Sequence, residues 1–242
     1  MGDGGCQPAN QCGLCCESQC KLARKFDKHC VWTGAQCVRC YPDGVYDNGG
    51  PIVGSPVVLP NWITDGAGDL IQLFPACLKR YVTGMVVYMT QTDTAAPTPS
   101  SISSRVIIFQ HATGIVQADW TGTCTSTPIA WLAHSYQITC EFHAGVMRIL
   151  GTPSCEYPQL PPDWYDVMFA QTSSPTLGWI TTQPPTGCTF ANECSFTQQM
   201  APVPLERTDL CTQPGGSGAY RNLAFQLLGS NSIQGLSLPS CR

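Results

Sequence analysis

The sequence predicts a mainly β protein, in which a sandwich or barrel-like domain follows a small cysteine-rich N-terminal module. Short runs of β-branched and aromatic residues, separated by glycine and proline, recur from Trp62 onward, and this pattern is typical of all-β domains. Only 12% of the 242 residues are charged, against about 25% in typical soluble domains. Eight of the 16 cysteines lie within the first forty residues, which sets that part of the chain apart.

The first forty residues also differ from the rest in charge and in local pattern. They carry a formal charge of +2, whereas the remaining residues carry −6. The segment ESQCKLARKFDKHC has apolar residues at four-residue spacing, which predicts a helix with a basic outer face. The stretch YPDGVYDNGGPIVGSPVVLP is rich in turn-forming residues. We therefore predict a cysteine-rich stapled or zinc module (1–40), a linker or turn region (41–61) and a β domain (62–242).

The strands of the β domain are predicted in chain order. YVTGMVVYMTQ is rich in residues that favour strands. RVIIFQ and IVQADW flank the turn HATG, and HSYQITCEF and VMRIL flank a second turn in which Gly145 can adopt a positive φ. In DWYDVMFAQ, alternate residues face opposite sides, with Trp164, Asp166 and Met168 together on one of them. NLAFQLLGSNSIQGLSL ends the chain as a further strand pair, and these short strands favour a sandwich or a barrel.

The cysteines of the N-terminal module allow two interpretations. Two CxxC knuckles, separated by 21 residues, fit the layout of a zinc ribbon, with Cys12, Cys15, Cys37 and Cys40 as ligands. The order C…C…CC…C…C in the first thirty residues resembles the inhibitor cystine knot framework, and CCESQCKLARKFDKHC resembles the insulin A-chain signature. Both resemblances imply disulfides, which are the favoured interpretation. The disulfide or metal positions are Cys6, Cys12, Cys15, Cys16, Cys20, Cys30, Cys37 and Cys40.

Eight further cysteines are scattered through the rest of the chain, without a CxxC pair among them. Single cysteines on strands and loop ends are an unfavourable layout for zinc and an ordinary one for disulfides. Many cysteines, an even number in each part and few charges are together typical of an oxidising compartment. We predict disulfides among Cys77, Cys124, Cys140, Cys155, Cys188, Cys194, Cys211 and Cys241.

The sequence contains no G-x-S-x-G, H-E-x-x-H, P-loop or Rossmann motif. Asp163 and Asp166 flank the dipeptide WY, and a carboxylate pair beside aromatic residues could serve glycoside hydrolysis, although surface carboxylates near a structural tryptophan are commoner. Trp120, Trp131 and Trp164 could form a sugar-stacking platform, but their places in or near predicted strands favour core packing. We predict that the protein is not an enzyme and has no cofactor, with zinc as the alternative.

The segment WTGTC…YQITCEFHAGVMRIL resembles cysteine-rich β structural proteins of phage-like gene clusters. This resemblance implies a structural virion protein stabilised by disulfides: a capsid-decorating, fibre or tail-associated subunit. Its partners would be other copies of itself or capsid and tail proteins. We expect such a protein in the virion or in the extracellular space.

Two other functions stay open. An extracellular carbohydrate-binding or adhesion module would bind glycans and show exposed tryptophans on a concave face. A zinc-ribbon nucleic-acid-binding protein would use the basic face of the predicted helix, but the net charge of −4 gives no reason to expect a nucleic-acid partner. The N-terminal residues lack the basic and apolar parts of a signal peptide, and the longest apolar run is about half a membrane span, so we expect neither.

Overall fold

A computed structural model shows a β domain and a two-stranded hairpin. The residues that it describes are 30–32, 37–39, 44–47, 50–51, 58–60, 69–76, 79–91, 99–171, 177–182, 196–198, 207–209 and 222–241. Among these residues the only helical element is a 3-10 turn at Phe142–Ala144. The predicted mainly β fold is therefore confirmed.

The strands are longest in the middle of the chain. The first nine are β1 (Cys30–Trp32), β2 (Cys37–Arg39), β3 (Gly44–Asp47), β4 (Val58–Pro60), β5 (Asp69–Ala76), β6 (Arg80–Gln91), β7 (Ser101–Gln110), β8 (Val116–Pro128) and β9 (Ser135–Glu141). The next nine are β10 (Gly145–Ile149), β11 (Thr152–Ser154), β12 (Gln159–Leu160), β13 (Asp163–Gln171), β14 (Leu177–Thr182), β15 (Phe196–Gln198), β16 (Arg207–Asp209), β17 (Asn222–Leu223) and β18 (Phe225–Ser230).

Sixteen of these strands form one sheet. Its main path is β16-β15-β5-β13-β7-β8-β9-β6-β14-β17, and the other six strands attach to it: β10 to β8, β11 to β10, β12 and β18 to β6, β3 to β18 and β4 to β14. The central pairs are antiparallel. The sheet curls into a half-barrel, and β3 comes close to β5, where the ring centroids of Tyr46 and Phe74 are 5.6 Å apart.

The inner face of the half-barrel holds the hydrophobic core. A group of aromatic rings lies at its centre, formed by Tyr46, Phe74, Tyr165, Trp179 and Phe225. The centroids of neighbouring rings are 5.6–6.3 Å apart, within the range of favourable aromatic pairs. Each such side chain buries on the order of 150–250 Å², so this group supplies a large share of the hydrophobic stabilisation.

The alternation predicted for β13 is confirmed. Tyr165, Val167 and Phe169 belong to the main core. Met168 lies on the opposite face of the sheet, where it packs against Ile107 of β7 in a separate small cluster. Because both faces of β13 are buried, this strand is apolar over most of its length.

Strand β8 shows clean alternation along its second half. Trp120 and Cys124 are fully buried on the inner face. One edge of β8 pairs with β7, whereas the other pairs first with β10 and then with β9. The outer face carries an exposed threonine at every second position: Thr121, Thr123, Thr125 and Thr127.

The hairpin predicted around Gly145 is wrong. β9 pairs with β6 and β8, whereas β10 pairs with β8 and β11, so the two consecutive strands do not pair with each other. Gly145 has an extended backbone, with φ of −149°. Glycine is required there because a Cβ at Gly145 or at Gly122 would overlap the indole of Trp120. The residue therefore serves close packing, not a turn.

Residues 41–61, predicted as a linker, contribute two strands to the main sheet. β3 pairs with β18, and β4 pairs with β14. The sheet therefore begins before Trp62, the first residue of the predicted domain. Of the predicted module 1–40, the structure describes only β1 and β2, which pair antiparallel. The predicted helix lies outside the described residues except for its last residue, Cys30, which belongs to strand β1 and not to a helix.

Two disulfides occur in the described part of the chain. Cys124 and Cys140 lie on the neighbouring strands β8 and β9, with Cα atoms 4.3 Å apart. Cys155 and Cys241 are bonded across 86 residues of sequence, with Cα atoms 4.7 Å apart. The other predicted disulfide positions of the β domain lie outside the described residues: Cys77, Cys188, Cys194 and Cys211.

The C-terminal segment after β18 is fastened to the sheet, although the predicted last strand pair is wrong. An irregular segment follows β18, and only Ser240 forms a bridge, which is parallel to β10. The Ser240 N–H donates to the Gly145 carbonyl at 2.9 Å, and the Ser240 carbonyl accepts from the Met147 N–H at 3.2 Å. The Tyr157 hydroxyl donates to the Ser237 carbonyl at 2.6 Å. The disulfide of Cys241 then fixes the end of this segment.

Candidate functional site

A row of side chains crosses three strands on the outer face of the half-barrel. Thr127 of β8 lies opposite Gln137 of β9, and Gln137 lies opposite Tyr88 of β6. Opposite residues on neighbouring strands point to the same face, with Cβ atoms about 5 Å apart. Tyr136 and Ile138, on either side of Gln137, are buried in the core, so Gln137 faces outward. The row Thr127–Gln137–Tyr88 forms the floor of an open groove.

Trp131 forms one wall of this groove. It lies in the loop 129–134 between β8 and β9, and 53% of its surface is exposed. Backbone hydrogen bonds hold the loop in shape: the Ile129 N–H donates to the Ser135 carbonyl at 2.9 Å, and the Leu132 N–H donates to the Ile129 carbonyl at 3.1 Å. The indole is therefore carried by an ordered turn.

The end of the same loop is tied to β6. The His134 carbonyl accepts hydrogen bonds from the Gln91 N–H at 2.8 Å and from the Thr90 hydroxyl at 3.1 Å. The hydroxyls of Thr90 and Ser135 are 2.7 Å apart. His134 has a positive φ of 54°, a conformation that tight turns use. These bonds connect the loop to the strand that carries Tyr88.

The groove is completed from two sides. Pro128 and Ile129 lie on the side of Trp131, whereas Gly50 and Pro51 close the side of Tyr88. The volume is about 330 Å³. Small-molecule sites span roughly 300–1,000 Å³, so the groove is at the small end of that range.

The groove is amphipathic, and none of the described residues that line it is charged. The indole and the proline ring are apolar, while the floor offers the Gln137 amide and the Thr127 hydroxyl. An amide supplies two donors and an acceptor, and a hydroxyl supplies one donor and two acceptor positions. Such a surface can hold a neutral ligand that has one apolar face and hydrogen-bonding groups around its edge.

A second polar cluster lies where β7 turns into β8. The Nδ1 atom of His111 is 3.0 Å from Oδ2 and 3.2 Å from Oδ1 of Asp166, whose side chain is only 1% exposed. The Gln110 amide donates to Oδ2 of Asp163 at 2.8 Å. The backbone N–H of His111 donates to the Trp164 carbonyl at 2.9 Å. These bonds attach the turn to β13.

The two aspartates do not form the carboxylate pair of a glycosidase. They are three residues apart on one strand, so their side chains leave opposite faces of β13. Asp163 also accepts the backbone N–H of Trp164 at 2.8 Å, which fixes its position at the strand end. A glycosidase needs both carboxyl groups on either side of one glycosidic bond. That the protein is not an enzyme stays a prediction.

Two tyrosines have raised pKa values for a structural reason. Burial, and then the nearby carboxylate of Asp163, raises the pKa of Tyr165 to about 12. Burial, and then the charge of Glu141, also raises the pKa of Tyr157. The Tyr165 hydroxyl donates to the Pro161 carbonyl at 2.9 Å. Both phenols stay protonated near neutral pH and act as hydrogen-bond donors.

Within the described residues, no three His, Cys, Asp or Glu side chains are grouped so that they could hold a metal ion. Cys12, Cys15 and Cys40, three ligands of the alternative zinc site, lie outside these residues, and the fourth, Cys37, begins β2. The choice between zinc and disulfides in residues 1–40 therefore stays a prediction.

The structure separates the three tryptophans that the sequence grouped together. Trp120 is fully buried, as predicted, and Trp164 is half-buried, but core packing is wrong for Trp131. Pro128 was the sequence signal for the exposure of Trp131. Proline has no backbone N–H to donate to a sheet, so it favours the end of β8 at this residue, and Trp131 then lies in the loop that follows. The remainder of the groove has no such signal, because Tyr88 and Gln137 meet only through the strand register.

No protein-family model matches the chain, and no curated protein matches it. In the part of the chain that the structure describes, no helix is long and apolar enough to span a membrane. Disulfides persist in oxidising surroundings, so the bonds Cys124–Cys140 and Cys155–Cys241 indicate an extracellular protein.

Proposed function

We propose that the protein is a disulfide-stabilised structural subunit of an extracellular assembly, and specifically a capsid-decorating, fibre or tail-associated component of a virion. The supporting observation is the placement of its disulfides. One bond, Cys124–Cys140, connects neighbouring strands, and the other, Cys155–Cys241, holds the C-terminal segment on the sheet. Both bonds stabilise the folded state against unfolding, and a particle component outside the cell needs such stability.

The surface composition supports assembly. With 12% charged residues, little electrostatic repulsion keeps copies of the chain apart. Ile115 and Leu150 are 51% and 62% exposed in the turns β7–β8 and β10–β11. The two turns lie at the same end of the sheet, since the Leu150 N–H donates to the Gln117 carbonyl at 3.3 Å. A second copy of the chain can cover this apolar end.

Sedimentation of the oxidised full-length chain tests the assembly proposal. We expect self-association, because this chain has few charges to keep its copies apart. The interface between copies should bury more than about 1,000 Å², as stable interfaces do. The double variant Ile115→Ser, Leu150→Ser should shift the population toward monomer. The control is Leu238→Ser, which removes a side chain of similar exposure (47%) from the C-terminal segment. A wild-type chain that stays monomeric at high concentration would contradict the proposal.

One observation favours a second function, that of a glycan-binding or adhesion module. Trp131 is exposed on the wall of a concave groove, which is the feature expected of such a module. A virion fibre and an adhesion module both act outside the cell, so the disulfides fit either function. Binding of the full-length chain to immobilised glycans distinguishes the two functions. A glycan-binding module should bind, whereas a purely structural subunit should not.

A further inference from the structure

We propose that the groove between Trp131 and Tyr88 is a binding site for one or two rings of a neutral saccharide, with a pyranose stacked on the indole of Trp131. This inference rests on the second of the two proposed functions, glycan binding, and assigns its site. It does not depend on whether the chain also assembles.

The exposure of Trp131 is not explained by the fold. Burying apolar surface stabilises a fold, and Trp120 and Trp179 are both completely buried in this protein. Trp131 instead keeps 53% of its surface in water, on a loop that is hydrogen-bonded at both ends. An ordered loop presents the indole with little conformational entropy left to lose, which favours binding.

The ligand class follows from the chemistry of the wall and the floor. A pyranose has C–H groups on its faces and hydroxyls around its edge. The C–H groups carry partial positive charge and suit the electron-rich face of an indole. The edge hydroxyls both donate and accept hydrogen bonds, as do the Gln137 amide and the Thr127 hydroxyl beside the indole. Because the lining residues that the structure describes are uncharged, the site is suited to a neutral sugar.

The strand pairing beneath the groove argues against an extended peptide as the ligand. A peptide that adds to a sheet needs an unpaired strand edge. At Gln137, β9 is paired with β6 on one edge and with β8 on the other. Recognition must therefore come from side chains on the sheet face, and the volume of about 330 Å³ suits a compact ring better than a folded partner.

Calorimetric titration of the oxidised full-length chain tests the site. The probes are neutral tetrasaccharides of β-linked hexose and of N-acetylhexosamine, with a sulfated tetrasaccharide for comparison. We expect a neutral probe to bind, and added salt of about 0.5 M to leave its affinity unchanged, because no charge pair is involved. Trp131→Ala should weaken binding at least about tenfold, whereas Trp131→Phe should keep part of the affinity. Gln137→Ala should weaken binding by a smaller factor.

The matched control is Leu238→Ala, which truncates an apolar side chain of similar exposure (47%) in the C-terminal segment, away from the groove and from the proposed assembly surface, and should bind like the wild type. Thermal melting of each variant verifies that it is folded, which we expect because Trp131 lies outside the core. If the wild type binds a neutral probe and Trp131→Ala binds equally well, glycan binding stands and the site is rejected. If the wild type binds none of the neutral probes, both the glycan-binding function and the site at Trp131 are rejected. Preference for the sulfated probe would overturn the neutral-sugar assignment.

Discussion

Trp120 imposes a strict local requirement on two glycines beside its ring. Its indole N–H donates to the Phe142 carbonyl at 3.0 Å, and its ring stacks on Phe142 with centroids 5.3 Å apart. The same ring lies directly against the backbone of Gly122 and Gly145. Positive φ and close approach both select glycine, so the sequence alone could not distinguish a turn from a packing contact at Gly145.

We expect Gly145→Ala to lower the free energy of unfolding by about 2–3 kcal/mol, because the new methyl group forces Trp120 or the backbone to move. Urea denaturation measures the change. Gly50→Ala is the matched control, since its Cβ would meet the Tyr88 ring at 3.7 Å, an ordinary contact, and should change stability by about 0.5 kcal/mol or less. Equal effects at the two positions would show that Trp120 is not packed as described.

Tyr165 gives the protein a specific sensitivity to alkaline pH. Its pKa is raised from 10.0 in the unfolded chain to about 12 in the folded protein, so the folded state holds the phenol proton more tightly. The resulting stabilisation is complete below pH 10 and is lost as the pH rises from about 10 to about 12. Tyr165→Phe cannot titrate, and its stability should fall less over that interval. Denaturation at a series of pH values measures the difference; identical slopes would contradict the assignment.

At the level of strands, alternation could be read from the sequence but pairing could not. In β13 the two faces were visible as alternate residues, with Trp164, Asp166 and Met168 together on one of them. The partner of each strand depends on long-range register, which is why β9 and β10 seemed to be a hairpin although each pairs elsewhere. The groove shows the same limit: Thr127, Gln137 and Tyr88 are neighbours only through that register.

The C-terminal segment is an element held on the sheet by one disulfide and by the hydrogen bonds of Ser240 and Ser237. Removal of the bond with Cys155→Ser and Cys241→Ser should cost about 4.5 kcal/mol, because it closes a loop of 86 residues. We also expect the Ser240 N–H, which donates to the Gly145 carbonyl, to exchange faster with solvent. Hydrogen exchange followed by mass spectrometry measures this change.

The control for this experiment is removal of the bond between β8 and β9 with Cys124→Ala and Cys140→Ala. Its loop spans only 16 residues, so the loss should be about 3 kcal/mol, and exchange at Ser240 should keep its native protection. If Ser240 exchanges equally slowly in both double variants, its bridge to β10 holds the segment without the disulfide.

For the whole molecule, composition predicted the fold class and the environment better than it predicted a site. Few charges and many short β-branched runs indicated the β fold, which depends on an average over many residues. The groove depends on the exposure of Trp131, a single residue whose neighbours at Pro128 and Gln137 come from different strands. A fold class predicted from an average over many residues stays correct when single residues are assigned wrongly. A site prediction fails when one of its few residues is assigned wrongly.

The last prediction concerns how the whole chain is oxidised. The disulfides of Cys124 and Cys155 indicate that the body of the protein is oxidised, and one chain experiences one redox environment. We therefore expect the cysteines of residues 1–40 to be paired as well. The native chain is treated with a thiol-alkylating reagent, with and without a zinc chelator, and the labelled positions are mapped by mass spectrometry. Disulfides give no labelling in either sample. Labelling of Cys12, Cys15 and the second CxxC knuckle only after chelation would instead establish a zinc ribbon, since bound zinc protects its thiolates until it is removed.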